Sequence, residues 1–271
     1  GGVVDLAFAT QPVIRITDAS GNTVTSSNAS VTASIALNAG SAIVQYTTTV
    51  IAVNGIATFT DLEIEGLVGS YSLLFRSGSL TAVTSAGFSI NSGIATSLVI
   101  TTQPTGDNNN VIFGTQPVIH IVDIAGNTLT TGSSVNISAT IASGPGTLSG
   151  TTTVASVNGV ATFTDLKIAG STGSYSLLFT SGSLITVTSA GFALGTGIAS
   201  ALAITTQPSG ASNDLLLTIQ PVIRIVDGSG NLVITGSAVT AVLTAGSATL
   251  SGTPTVAAVN GIATFTNLKI T

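Results

Sequence analysis

The chain has 271 residues and a net charge of −5, and only 6% of the residues are charged, against roughly a quarter in average soluble domains. Its few, scattered Lys and Arg make no basic patch, which argues against a nucleic-acid partner. No apolar run reaches the roughly 18 residues of a membrane-spanning helix, and without Cys there is neither a disulfide nor a thiol nucleophile.

In chain order, the first signal is Gln11-Pro12-Val13-Ile14. It returns at Gln116 and again at Gln220, 105 and then 104 residues further on. A self-similar unit of about a hundred residues is the size of one small β domain rather than a solenoid turn. The repeats read as 1–93, 94–197 and 198–271, joined by short links at Ser92-Gly93 and Gly195–Gly197. In Ile14-Arg15-Ile16 the outer residues are predicted to face a core and the middle one solvent. His120 and Arg224 stand where Arg15 does, so the only histidine reads as a solvent-face strand residue without a catalytic or ligating partner.

Next comes a turn, Asp18 to Gly21 and Asn22, repeated as Asp123, Gly126, Asn127 and as Asp227, Gly230, Asn231. Asp can close an Asx-turn, while Gly and Asn accept left-handed geometry. The loops could in principle collect calcium between domains, but each brings a single carboxylate, so a structural turn is the simpler reading. Asn54-Gly55, Asn158-Gly159 and Asn260-Gly261 sit between alternating apolar and polar residues, the pattern of type I′ hairpins. Asp61, Glu63 and Glu65 follow at spacing two, which puts three carboxylates on one strand face. They are weak calcium candidates, because Lys167 and Lys269 replace Glu63 in the other repeats. A solvated face is the simpler reading, with a Glu63–Lys pair across strands or chains as a variant.

The nine phenylalanines fall at repeated places: Phe8/Phe113, Phe59/Phe163/Phe265, Phe75/Phe179 and Phe88/Phe192. Recurrence assigns them to core packing. Tyr71 and Tyr175 recur in Gly-Ser-Tyr-Ser-Leu-Leu-Phe and read as tyrosine corners, hydroxyls that cap a nearby backbone group. Tyr46 has no counterpart. The middle repeat is complete, with strands predicted at 98–103, 111–113, 118–123, 135–141, 151–157, 160–168, 174–180 and 184–192. The fold class is therefore all-β: tandem Ig-like antiparallel sandwiches, arranged as an extended rod.

The first repeat lacks the counterpart of its neighbours' first strand, and the third lacks its last two. Either the chain is cut from a longer array, or strands of a neighbouring copy complete it by strand addition. Asn28 and Asn136 begin Asn-x-Ser sequons. Covalent glycans there would wet a surface so poor in charge. No cofactor motif, phosphate loop or nucleophile elbow is present.

Val122 to Asn127, Asn158 to Phe163 and Gly173 to Leu177, with their counterparts in the other repeats, resemble the bacterial Ig-like repeats of invasin- and intimin-type adhesins. The low charge and the Ser/Thr load set this chain apart from them. The resemblance implies sandwich domains strung as rods on a microbial cell surface. The expected function is a non-catalytic extracellular stalk, sheath or fibril that packs against copies of itself or neighbouring repeats. An adhesive or carbohydrate-binding module is the alternative.

Overall fold

The structure is a computed structural model, and it describes residues 2–37, 42–130, 134–210 and 212–271. All its regular elements are strands, as Val, Ile, Thr and Phe between Gly and Asn turns dictate. In the middle repeat Ser97–Thr102, Val118–Val122 and Val160–Thr162 form one antiparallel sheet in that order. The facing sheet runs Thr153–Ala155, Asn136–Ser143, Gly173–Thr180 and Val187–Thr188, and Phe192–Leu194 also pairs with Gly173–Thr180.

Alternation along these strands decides which side chains meet. Leu98, Ile119, Ile121 and Ala161 come from one sheet, Ile137, Ala139, Leu177 and Phe179 from the other, and all are buried in one cluster. Each such Leu, Ile or Phe contributes about 2 kcal/mol through the area removed from water. Phe163 and Phe179 lie 5.5 Å apart across this core, and Phe113 meets Phe192 edge-on at 5.3 Å. Phe59–Phe75 and Phe8–Phe88 repeat the two contacts in the first core.

The first and third repeats have cores of their own. In the first, Val13–Arg15 pairs with Ile56–Thr58, opposite a sheet that contains Ser30–Leu37, Thr49–Ile51 and Gly69–Arg76. Gly2–Val3 joins that sheet parallel to Phe88–Asn91, a departure from the wholly antiparallel expectation. In the third, Leu202 is 58% exposed, whereas its counterpart Leu98 is 3% exposed. Leu98 is covered in a repeat that contains the strands Gly173–Thr180 and Phe192–Leu194.

Some elements differ from the sequence expectation. The run 160–168, read as one strand, is two: Val160–Thr162 lies in one sheet and Lys167–Gly170 pairs elsewhere, with Gly146–Ser149. The chain passes from one sheet to the other pairing at Phe163–Leu166, and Gln116 holds this stretch. Its amide donates to Leu166 O at 2.9 Å and accepts from Leu166 N–H at 3.0 Å. Gln11 with Leu62 and Gln220 with Leu268 repeat this fork. The segment 111–113 forms only an isolated bridge, Ile112 with Lys167. Gly146–Ser149, unpredicted, is a strand despite its Gly-Pro-Gly approach.

Candidate functional site: the joints between repeats

Each Asp-x-x-Gly-Asn loop folds on itself first. Asp123 Oδ1 accepts from the backbone N–H of Ala125 at 3.0 Å and of Asn127 at 2.9 Å, and Gly126 has φ 85°. Asp18 and Asp227 accept from the equivalent residues at 2.9 to 3.0 Å. A Cβ at Gly126 would meet nothing within 4 Å, so its positive φ, not space, is what calls for glycine.

The loop then reaches outward, which the sequence did not reveal. Asn127 Nδ2 donates to Gly66 O at 3.0 Å, and Val68 N–H donates to Asn127 Oδ1 at 2.9 Å. Gly66 and Val68 belong to the preceding repeat. The other Asp123 oxygen, Oδ2, accepts from Asn127 Nδ2 at 3.0 Å and also from Gly93 N–H, in the link, at 2.8 Å. The second joint copies the first. Asn231 Nδ2 donates to Gly170 O at 2.9 Å, Thr172 N–H donates to Asn231 Oδ1 at 3.0 Å, and Gly197 N–H donates to Asp227 Oδ2 at 2.8 Å. An amide that both accepts and donates to one loop fixes its orientation as well as its distance.

These contacts take the acids out of water. Asp123, Asn127 and Asp227 are buried, whereas Asp18 and Asn22 are exposed. Burial works to raise the Asp227 carboxyl. Hydrogen bonds from the Asn231 side chain and the N–H groups of Gly197, Ser229 and Asn231 outweigh it and hold the group well below the usual carboxylate range. Asp18 is also lowered, first by the Asn22 backbone N–H and then by its side chain. These hydrogen bonds favour the ionised form of Asp227 and Asp18 without a cation.

The tyrosine corners support the same loops from behind. Tyr175 is fully buried, and its hydroxyl donates to Ser171 O at 2.8 Å, with Pro145 O at 3.0 Å. Tyr71 donates to Leu67 O. Burial raises both phenols, so they stay protonated donors.

The other sequence candidates lie away from the joints. In the Asn-Gly pairs, φ is 51° and 76° at Asn54 and Gly55, 50° and 73° at Asn158 and Gly159, and 51° and 78° at Asn260 and Gly261. Asn28 is exposed in a loop and Asn136 is exposed at the start of a strand. His120 Nδ1 lies 2.9 Å from Thr128 Oγ1.

The three carboxylates do not share a solvated face. Asp61 accepts from Thr47 N–H at 3.2 Å and from Thr47 Oγ1 at 2.7 Å. Glu63 is 5% exposed, its Oε1 has no hydrogen-bond partner among the described residues, and burial followed by the nearby Asp5 carboxylate raises its pKa. Glu65 is half-buried and bonded to Gln45. Among the described residues no group of three or more His, Asp or Glu is placed to hold a metal ion. The partner of the Lys at this place is local: Lys269 pairs with Asp214 at 2.6 Å. No helix is long and apolar enough to cross a membrane among the described residues.

No family model and no curated protein matches the chain. Among solved structures it is similar to the D00-D0 domain of intimin, at 12% identity and a TM-score of 0.35, covering 68% of this chain and 99% of that one. It is similar to invasin, a bacterial integrin-binding protein, at 14% identity and a TM-score of 0.33, covering 96% of this chain and 53% of that one. A β-glycosidase from Bacteroides vulgatus matches at 13% identity and a TM-score of 0.33, covering 61% of this chain and 21% of the enzyme. The chain thus spans about half of the invasin and a fifth of the glycosidase. Likeness at this level carries nothing about function.

Proposed function

We propose that the chain is a run of load-bearing repeats, 1–93, 94–197 and 198–271, in an extracellular microbial stalk, sheath or fibril. Its work is to hold position rather than to catalyse. The observation that carries this is the joint. Each junction combines a link with three inter-repeat hydrogen bonds made by one buried Asp and one Asn, and the pattern occurs twice without change. Flexibly tethered modules need no such contacts. The partners this reading implies are neighbouring repeats of the same kind, in the same chain or another copy, with strand addition as one means of completing the terminal repeats. Glycans at Asn28 and Asn136 would keep a weakly charged surface wet; an intact mass equal to the bare polypeptide from native material would remove them from the account.

Electron microscopy of native cell surfaces labelled with an antibody to this chain tests the reading. Label spaced along filaments or stalks is expected; label confined to a diffuse soluble fraction contradicts it.

One observation favours the alternative of an adhesive or carbohydrate-binding module. Tyr46 is 66% exposed and holds φ 65°. Gly150 and Gly252 occupy the same place in the other repeats, at φ 98° and 99°. A strained, exposed aromatic is a recognition feature. A glycan array probed with the chain and with Tyr46→Gly distinguishes the two readings. Signal lost with the tyrosine supports adhesion; equal signal, or none from either, leaves Tyr46 out of recognition.

A further inference from the structure

The two joints share their backbone contacts but differ at one matched pair of side chains, and we infer that this pair decides which repeats can adjoin. The first member sits at position 4, 109 or 213 and is Val4, Asn109 and Asn213 in the three repeats. Its backbone role is constant: Val4 N–H donates to Asn91 O at 3.0 Å and Asn109 N–H to Gly195 O at 2.9 Å. The second member is the third residue of the following repeat's Asp-x-x-Gly-Asn loop: Ser20, Ala125 or Ser229.

The combinations found are Val with Ala and Asn with Ser. In the first joint Val4 is 1% exposed, and Ala125, from the next repeat, packs against the cluster that contains it. In the second joint Asn109 is 4% exposed. Its Nδ2 donates to Ser229 Oγ at 2.9 Å and to Asp227 Oδ2 at 3.1 Å, and its Oδ1 accepts from Gly170 N–H at 2.8 Å. Ser229 Oγ also lies 3.2 Å from Asn109 Oδ1.

Physical chemistry makes the mixed combinations poor. Val opposite Ser buries a hydroxyl facing only methyl groups and takes one donor from the buried Asp227. Asn opposite Ala buries an amide with one partner fewer. A buried polar group left without its partner costs more than the pair gains when made. The rule is therefore one of matching, and it acts against wrong neighbours as much as for right ones. It also assigns the exposed Asp18–Asn22 loop, which carries Ser20, to a repeat end of the Asn type. The inference goes beyond the stalk reading and does not depend on it, because it concerns the order of repeats whatever the array does.

The test is a double-mutant cycle in the full chain, read by amide hydrogen exchange at Gly197 and Thr172. Gly93 and Val68 report the untouched joint, and Phe179 reports the core. Asn109→Val is expected to lower protection at Gly197 roughly ten-fold, typical of neighbours in one hydrogen-bond network. Ser229→Ala is expected to lower it in the parent chain and to raise it in the Asn109→Val background. That reversal of sign is the signature of matching; the same sign in both backgrounds overturns the inference. Should Asn109→Val also expose Phe179, the reciprocal cycle serves. Ala125→Ser should lower protection at Gly93, and adding Val4→Asn should restore it; failure to restore overturns the inference equally.

Discussion

The Tyr175 hydroxyl and the Asn231 side chain hold the same three-residue loop. Tyr175 donates to Ser171 O, while Asn231, in the next repeat, bonds Gly170 O and Thr172 N–H. A hydroxyl anchored in one core is thus one peptide removed from the grip of the following domain. Tyr71, Leu67 and Asn127 repeat the arrangement. The loop that the following repeat grips is thus tied to a ring buried in the core.

Tyr175→Phe keeps the ring and removes the donor. Two carbonyls, Ser171 O and Pro145 O, lose their partner, at a cost of about 1 to 2 kcal/mol. Chemical denaturation should show that loss. Amide exchange at Thr172 should accelerate while exchange at Val68 in the other joint stays unchanged.

Tyr46→Gly should stabilise the first repeat. A left-handed non-glycine residue costs roughly 1 to 2 kcal/mol, and Tyr46 is exposed, so its ring offers little burial in return. Thr47 would still reach Asp61 as Thr151 reaches Asp165. Thermal unfolding of the first repeat should move up by several degrees; an unchanged midpoint would mean that the backbone carries no strain there.

Glu63 makes the first repeat sensitive to pH in a particular direction. Its folded pKa is raised, first by burial and then by Asp5. The folded state therefore binds the proton more tightly than the unfolded chain, and stability falls as pH rises from the ordinary Glu value through the folded one. Glu63→Gln should remove this slope and stabilise the repeat at neutral pH by about 1 kcal/mol, the lower end for a buried group left unsatisfied. Near pH 4 the gain should vanish. Denaturation at both pH values checks it.

Much of this architecture could be read from residues alone. Asn-Gly pairs declare hairpins because positive φ is a local requirement that few residues meet. Phenylalanines at equal intervals declare the core. The joint was half visible. Asp18, Asp123 and Asp227 read as turn formers, but an Asx-turn says nothing of what else the second carboxylate oxygen bonds. Asp123 Oδ2 bonds Asn127 within its loop and also Gly93, thirty residues away in the link, and no local pattern reports the second contact. Glu63 was misplaced for a related reason. Spacing of two says that Glu63 and Glu65 share a face, yet not which face, and Glu63 lies buried beside Asp5. Gln116 is legible only as a repeat marker; its fork onto Leu166 joins residues fifty apart.

The central claim is that these joints fix one repeat against the next. Small-angle X-ray scattering of the full chain across pH tests it most directly. The Asp227 carboxyl is held well below the usual range, so its contribution is present above the ordinary Asp value and lost only as pH falls through the lowered one. The account predicts that the joint built on Asp227 stays closed from pH 7 to pH 4, that the chain shows one well-defined maximum dimension at pH 7, and that the distance distribution at pH 7 broadens once both Asn127 and Asn231 are replaced by Ala. A parent chain whose scattering already requires freely jointed repeats at pH 7, or one unaffected by the double replacement, would contradict it.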